Sequence, residues 1–333
     1  MNYKDRVYGS VEITEPVILE LINCKTLQRL KEIDQAGYRP LWVKPNVETG
    51  EYDHSRFAHS ISVYLLLRKY NAPLEEQIAG LIHDVSHSAF SHCIDYVLDA
   101  GSQKEHNHQD NVFDEFVRKS EIPKIIKKYG LDMEYILNDE NFPLKEKDLP
   151  DLCADRIDYS LRTAVIFEEI TMKEAQNLLN ELTAENGKWI FKDFESAEKY
   201  AKLFLRLNTD YYAGLRSAQM FRAVGDCLRY ALKNGYISEN DLYATDKVVL
   251  DKITPYAKTD SQFSLLWDRM NDKIGVKNNP NDYAGKVFCK SRVVNPLCWH
   301  EGEIKRVSEV KPEWNKILEK QSKPKEYFLK FDN

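Results

Sequence analysis

The stretch Leu81-Ile-His83-Asp84-Val-Ser-His87-Ser-Ala-Phe-Ser-His92 decides how this chain is read. Apolar residues at Leu74, Ile78, Leu81 and Ile82 fall at i, i+4, i+7 and i+8, which predicts a helix with one buried stripe. The stripe stops at Ile82, and Ser86-His87-Ser88 breaks the pattern. Adjacent residues within a helix point about 100° apart, so His83 and Asp84 can share one ion only at a helix end, which is where they stand. Six of the eight histidines lie in a fifty-residue window among predicted helices, five of them (59, 83, 87, 92 and 108) being the candidates. Buried imidazoles each need a partner, and core packing alone supplies no reason for such a cluster.

Working outward, Arg56-Phe-Ala-His59-Ser lies upstream and Ala154-Asp155-Arg156-Ile-Asp158-Tyr159 downstream. His59, His83, Asp84 and Asp155 offer two imidazoles and two carboxylates, a donor set suited to one divalent transition metal: Mn, Fe, Zn or Ni. Such an ion turns water into a nucleophile near neutral pH. Arg56, three residues before His59, either presents its fork to phosphate oxygens or neutralises nearby carboxylates, and the same two readings apply to Arg156. Tyr159 sits one turn after Asp155 and offers a hydroxyl on the same side. His87, His92 and His108 are the candidates for proton transfer to a leaving alkoxide. His54 and His106 read as surface residues, and His300 has no assignment.

The remaining chain reads as mainly α. Thr14-Glu-Pro16 opens a helix with Val17, Leu21, Leu27, Leu30 and Ile33 at helical spacing and a break near Asn23. Gly37 to Gly50 reads as a loop or short hairpin, and Ala100-Gly101-Ser102 as a break before a helix through Val112, Phe113, Phe116 and Val117. Asp148-Leu-Pro150 begins a helix on which Asp155, Tyr159 and Arg162 share a face. Asn186-Gly187 with the alternation after it predicts a hairpin near 183–192. A long helix from about Ser196 to Asn234, with Gly214 as an interruption, leads into further helix up to Ile274. Lys286-Val-Phe-Cys-Lys and Arg292-Val-Val read as short strands, and the Lys-rich last dozen residues as a partly ordered tail. The division is a helical core over 1–275 and a small mixed part over 276–333.

At 333 residues, 43% hydrophobic and 30% charged, the composition is that of a soluble globular protein with an ample core. A net charge of −6 gives no global pull toward nucleic acid or anionic membrane, so phosphate binding needs a local cationic pocket. None of the six cysteines forms a CxxC pair, which argues against a disulfide framework or zinc knuckle and for a reducing cytosol. MNYKDRVYGS has no apolar signal core, and the best apolar run, Ile61 to Leu67, is far short of the ~20 residues a membrane span needs. The expectation is a cytoplasmic protein without membrane contact.

Taken in order, the motifs resemble the HD-domain phosphohydrolases, in the branch of the deoxynucleoside triphosphate triphosphohydrolases, and they cover positions 20–165. HD alone is a weak string, but the spaced combination is specific. Leu27-Gln28-Arg29-Leu30-Lys31 and Gln35-Ala36-Gly37 resemble flanking text of that branch. The resemblance implies an HD-domain helical core with His59, His83, Asp84 and Asp155 on the metal. It implies substrate contacts from Arg56, Tyr159, Gln35 and Arg156, the last replacing a Lys. It makes His92 the leading general acid, with His87 and His108 positioning phosphate. Magnesium on the substrate phosphates and a homo-oligomer belong to the same expectation.

The pattern also departs from that branch. Thr163 stands where the branch has an Asp associated with recognition of deoxyribose. Arg206, Tyr211, Tyr212 and Arg216 lie in the region of its later Arg and Tyr/His cluster but miss the spacing. Asn23 replaces the acidic residue with which activated members read guanine, which argues against nucleotide activation of that kind. The first functional expectation is hydrolysis of a deoxynucleoside triphosphate to nucleoside and tripolyphosphate. The second is phosphoester hydrolysis of a nucleoside monophosphate or of a non-nucleotide phosphorylated or pyrophosphorylated compound. The third is a non-enzymatic nucleic-acid-binding module, against which the acidic balance and the complete donor set count.

Overall fold

The computed structural model describes residues 1–38, 54–98 and 102–332. Most of the loop or hairpin read for Gly37 to Gly50, and the break at Ala100-Gly101, therefore lie outside the described residues. Helices carry the fold, with sheets of two, four and three strands beside them. β1 (Asn2–Asp5) and β2 (Gly9–Glu12) form an N-terminal antiparallel hairpin. Pro16 then starts the helix Pro16–Asn23, which breaks before the short helix Lys25–Arg29. Val17, Leu21, Leu27, Leu30 and Ile33 are all buried, as their spacing predicts.

α1 (Arg56–Lys69) is the central helix, and every residue from Arg56 to Leu67 is buried. The Ser55 hydroxyl caps it by accepting the Ala58 N–H at 3.1 Å. α1 packs on α2 (Leu74–Ile82) and α3 (Ala154–Ile166). Gly80 permits the close approach of α2: a Cβ there would lie 2.5 Å from Leu67 Cδ1 and 3.0 Å from Val63 Cγ1. β3 (Leu182–Glu185) and β4 (Lys188–Phe191) make the predicted hairpin, with Asn186 and Gly187 at φ 51° and 69° as a two-residue turn requires. α4 (Phe194–Leu207) and α5 (Leu215–Lys233) are the predicted long helix, parted by a π-helical turn at Asn208–Tyr212 and by Gly214.

The C-terminal part contributes β5 (Val276–Asn278), β6 (Gly285–Cys289), β7 (Leu297–His300), β8 (Glu303–Arg306) and β9 (Lys325–Phe331). Two sequence readings are corrected here. Arg292-Val293-Val294 joins no sheet. The final segment is also not a loose tail, because β9 is the middle strand between β5 and β6. Its alternation buries Leu329 and Phe331 and leaves Glu326, Phe328 and Lys330 on the other face, a period-two pattern hidden behind the lysine content. β7 runs parallel to β4, with Ile190 opposite Leu297, so residues 182–191 and the C-terminal part share one sheet. All six cysteines are buried and free. Among the described residues, no helix is long and apolar enough to cross a membrane.

Candidate metal centre

The first turn of α1, the turn ending α2 and the first turn of α3 bring the four expected donors to one point. His59 Nε2 lies 2.8 Å from Asp155 Oδ1, 3.2 Å from His83 Nε2 and 3.8 Å from Asp84 Oδ2. His83 Nε2 is 3.4 Å from Asp84 Oδ1 and 3.5 Å from Asp155 Oδ1. His83 is the C-cap of α2, so the helix end that the apolar stripe predicts is what lets His83 and Asp84 face one centre.

The outer nitrogens of both imidazoles are committed. His59 Nδ1 donates to Asp158 Oδ2 at 2.8 Å, and His83 Nδ1 donates to the Gly80 carbonyl at 2.7 Å. Both Nε2 atoms are thereby turned toward the carboxylates, the arrangement by which a second layer of residues orients metal-binding histidines. Neighbouring ligands on one ion, with bonds of about 2.1 Å, sit ~3.0–3.4 Å apart, and the distances here bracket that range. Burial pulls the His59 pKa down, but its hydrogen bonds to the carboxylates of Asp155 and Asp158 and the charge of Asp84 carry it up to about 9. Burial likewise opposes ionisation of Asp84, yet Arg56 and its histidine neighbours hold it well below the usual carboxylate range. A cluster that attracts a proton so strongly attracts a cation by the same field. The residues fit a divalent metal.

The surrounding candidates divide between those that face the cavity freely and those already engaged. Arg56 Nη1 donates to Asp84 Oδ2 at 2.8 Å, Nη2 to the Gln35 carbonyl at 2.7 Å and Nε to Ser91 Oγ at 3.0 Å, which is the carboxylate-neutralising reading of that arginine. Arg156 Nη1 donates to the Asp151 carbonyl at 2.7 Å, and Nη2 lies 3.6 Å from Glu146. Both Tyr159 and Gln35 line the cavity, and the Tyr159 hydroxyl and the Gln35 side-chain oxygen have no hydrogen-bond partner among the described residues. His87 Nε2 sits 3.3 Å from Asp84 Oδ1, and burial with the nearby Arg56 charge brings its pKa down to about 4. His92 Nδ1 meets Asp95 Oδ2 at 3.4 Å.

His108 is turned away. Its Nε2 pairs with Tyr243 OH at 3.0 Å, while its backbone N–H donates to Asp95 Oδ1 at 2.9 Å and so steadies the partner of His92. His54 and His106 are not surface residues: both are buried and both line the cavity. His106 takes φ 52°, which sequence pattern does not show, and stacks on His92 with ring centroids 5.2 Å apart. Sequence reading also missed Asp158, although its spacing of three from Asp155 puts it on a neighbouring helix face. Lys290 and Arg292 line the same cavity from the C-terminal part. No local signal near the motifs points to them.

Residues 56–163 match the HD domain family. The uncharacterized protein YdhJ of Bacillus subtilis is 35% identical over 297 residues, covering 89% of this chain and 88% of that one. The metal-dependent phosphohydrolase cns2 of Cordyceps militaris is 27% identical over 322 residues, covering 93% of this chain and 89% of that one. The deoxynucleoside triphosphate triphosphohydrolase SAMHD1 of Mus musculus is 30% identical over 149 residues, which is 39% of this chain and 22% of that one. With its donor set assembled around the HD pair, the chain belongs to the HD-domain metal-dependent phosphohydrolases, hydrolases of phosphoester bonds.

Proposed function

We propose that the chain hydrolyses deoxynucleoside triphosphates to deoxynucleoside and tripolyphosphate. One observation carries this reading. A single cavity of about 920 Å³ contains His83, Asp84 and Asp155, the imidazole of His92, and an aromatic wall that includes Tyr159, Phe167 and Phe221. That combination accommodates a phosphate chain, a leaving alkoxide and a flat base together. The partial likeness to SAMHD1 supports it.

His59, His83, Asp84 and Asp155 would hold the ion. A divalent cation there would polarise the phosphoryl group and lower the pKa of water. The protein's own groups would do the remainder. Asp158 and the Gly80 carbonyl keep the imidazoles in the tautomer that binds. Arg56 holds Asp84 ionised and in place. The free Tyr159 hydroxyl would donate to a phosphate oxygen, and burial keeps its proton on. Burial, Arg56 and His87 hold the His92 pKa well below its ordinary value, so His92 is neutral before substrate arrives. The negative charge of a bound phosphate would raise that value. With Nδ1 steadied by Asp95, the other nitrogen would be left to protonate the leaving 5′ oxygen.

Product analysis with Mn²⁺ against the four deoxynucleoside triphosphates, their ribonucleotide forms and the monophosphates tests this. Nucleoside plus tripolyphosphate, lost in Asp84→Asn, is the expected outcome. The second reading, phosphoester hydrolysis of another substrate, draws on the tyrosines that line the cavity. Arg206 pairs with Glu169 at 2.9 Å and the Arg216 side chain is 63% exposed, so Tyr211 and Tyr212 line the cavity while these arginines do not. Silence on triphosphates with Asp84-dependent phosphate release elsewhere would select it. A homo-oligomer belongs to the proposal, and light scattering on the eluted protein checks it.

A further inference from the structure

We propose that Lys290 and Arg292 form an anion subsite for the non-reacting phosphates of the substrate, an inference that rests on the phosphohydrolase cavity above and deepens it. Both residues follow β6 and lie far from the HD motifs in sequence, yet both line the cavity. Burial alternates along this stretch: Lys290 and Arg292 are half-buried, while Ser291 and Val293 are buried. That alternation puts the two cations on one face and Ser291 on the other. Asn208, fully buried in the π-helical turn between α4 and α5, pins the Ser291 side. Its Oδ1 accepts the Arg292 N–H at 2.8 Å, and its Nδ2 donates to Ser291 Oγ at 3.0 Å.

The other half-buried or buried cations of the cavity are matched. Arg56 pairs with Asp84 at 2.8 Å, Lys145 with Asp139 at 2.5 Å, and Arg156 lies 3.6 Å from Glu146. Lys290 and Arg292 have no ion-pair partner among the described residues. Asp110 and Glu105 act on Lys290 only through space, and burial together with the Arg292 charge lowers its proton affinity. Two like charges held side by side in a partly desolvated wall repel each other and lose hydration. An anion removes both costs, and an ammonium beside a planar guanidinium suits adjacent phosphate groups. Arg292 lines the same cavity as His92, Tyr159 and Tyr212, so an anion held by it would share that cavity with the proposed acid. The ligand class is a chain of two or more phosphates reaching past the metal cluster.

The test uses the full chain with its metal and compares wild type with Lys290→Gln, Arg292→Gln, the double variant and Arg292→Lys. Calorimetry measures binding of inorganic tripolyphosphate and of orthophosphate, and steady-state kinetics follows the best triphosphate substrate. Each cation removed should weaken tripolyphosphate binding and raise KM by about tenfold, the size of one charge-assisted hydrogen bond. Orthophosphate affinity should change little, and Arg292→Lys should fall between wild type and Arg292→Gln. Unchanged tripolyphosphate affinity in the double variant, or no binding of tripolyphosphate by wild type, overturns the subsite. If the double variant melts early, the two single variants carry the comparison. Loss of tripolyphosphate binding in a protein that turns over no deoxynucleoside triphosphate would keep the subsite and remove the proposed substrate.

Discussion

Asp158 does for His59 what no motif residue can do for itself: it fixes which nitrogen carries the proton. Its Oδ2 takes the Nδ1 proton at 2.8 Å from a wholly buried position. Asp158→Asn should therefore weaken metal affinity by about 10–100-fold, measured by metal titration, with turnover returning as metal is added in excess. A loss that excess metal does not restore would mean that Asp158 acts on the chemistry itself. His92 is the opposite case, a proposed proton donor in the cavity rather than a proposed ligand. His92→Ala should slow single-turnover chemistry by about 10²–10⁴-fold with metal content unchanged. If the rate holds, the role passes to His106, which lines the cavity and stacks on His92 although Tyr96 OH engages its Nε2, and not to His108, which is not among the lining residues. His59, His83, Asp84 and Asp155 were legible because each carries a characteristic donor in a recognisable spacing. His106 was not, because a left-handed backbone turns it inward, and only the fold around it sustains that conformation.

Helix placement sets the geometry of the candidate metal centre, and Gly80 permits it. α2 presents His83 and Asp84 at its end, and Gly80 lets it lie against Val63 and Leu67 of α1, the helix that carries His59. Gly80→Val should push the two helices apart. The expected cost is about 1–3 kcal/mol of stability, as for other overpacked cores, read by urea unfolding, together with weaker metal binding. Destabilisation with full metal affinity would show that the turn, and not the helix contact, positions His83. Helical periodicity announced α2 and its end at Ile82 because that pattern is local. It could not announce the middle strand β9, whose neighbours β5 and β6 lie earlier in the chain and whose lysines imitate a solvated tail.

At the scale of the whole molecule, the N-terminal hairpin is tied to the metal cluster through buried charge. Asp5 Oδ2 accepts from Arg162 Nη2 and from Ser62 Oγ, each at 2.8 Å, and Arg162 Nε donates to Asp158 Oδ2 at 3.2 Å. The chain of contacts ends on His59. Asp5→Asn would leave the Arg162 guanidinium short of a counter-charge inside the protein, a loss of about 3–5 kcal/mol for a broken buried pair. Burial raises the Asp5 pKa, but Arg162 and the hydrogen bonds around it more than reverse this, so its folded value is lowered. The stabilisation is then complete above the unfolded carboxylate pKa, about 3.9, and is lost as pH falls through the lower folded value. Unfolding curves of wild type and Asp5→Asn should differ most at neutral pH and converge in strong acid. Equal stabilities at pH 7 would show that the network carries no net energy.

The sequence alone determined the candidate HD donor set, the mainly helical class, the helix end at Ile82 and the turn at Asn186-Gly187. These depend on residue chemistry and on backbone periods spanning only a few positions. The tertiary structure decided which groups meet across the chain. It gave Arg56 to Asp84 rather than to an open phosphate fork, brought His106 in and turned His108 out. It also joined Asp5 to Arg162 and carried Lys290 and Arg292 into the cavity. The physical reason is that a charged side chain pairs with whatever counter-charge close packing brings within hydrogen-bond reach. For Asp5 and Arg162 that partner lies 157 residues away.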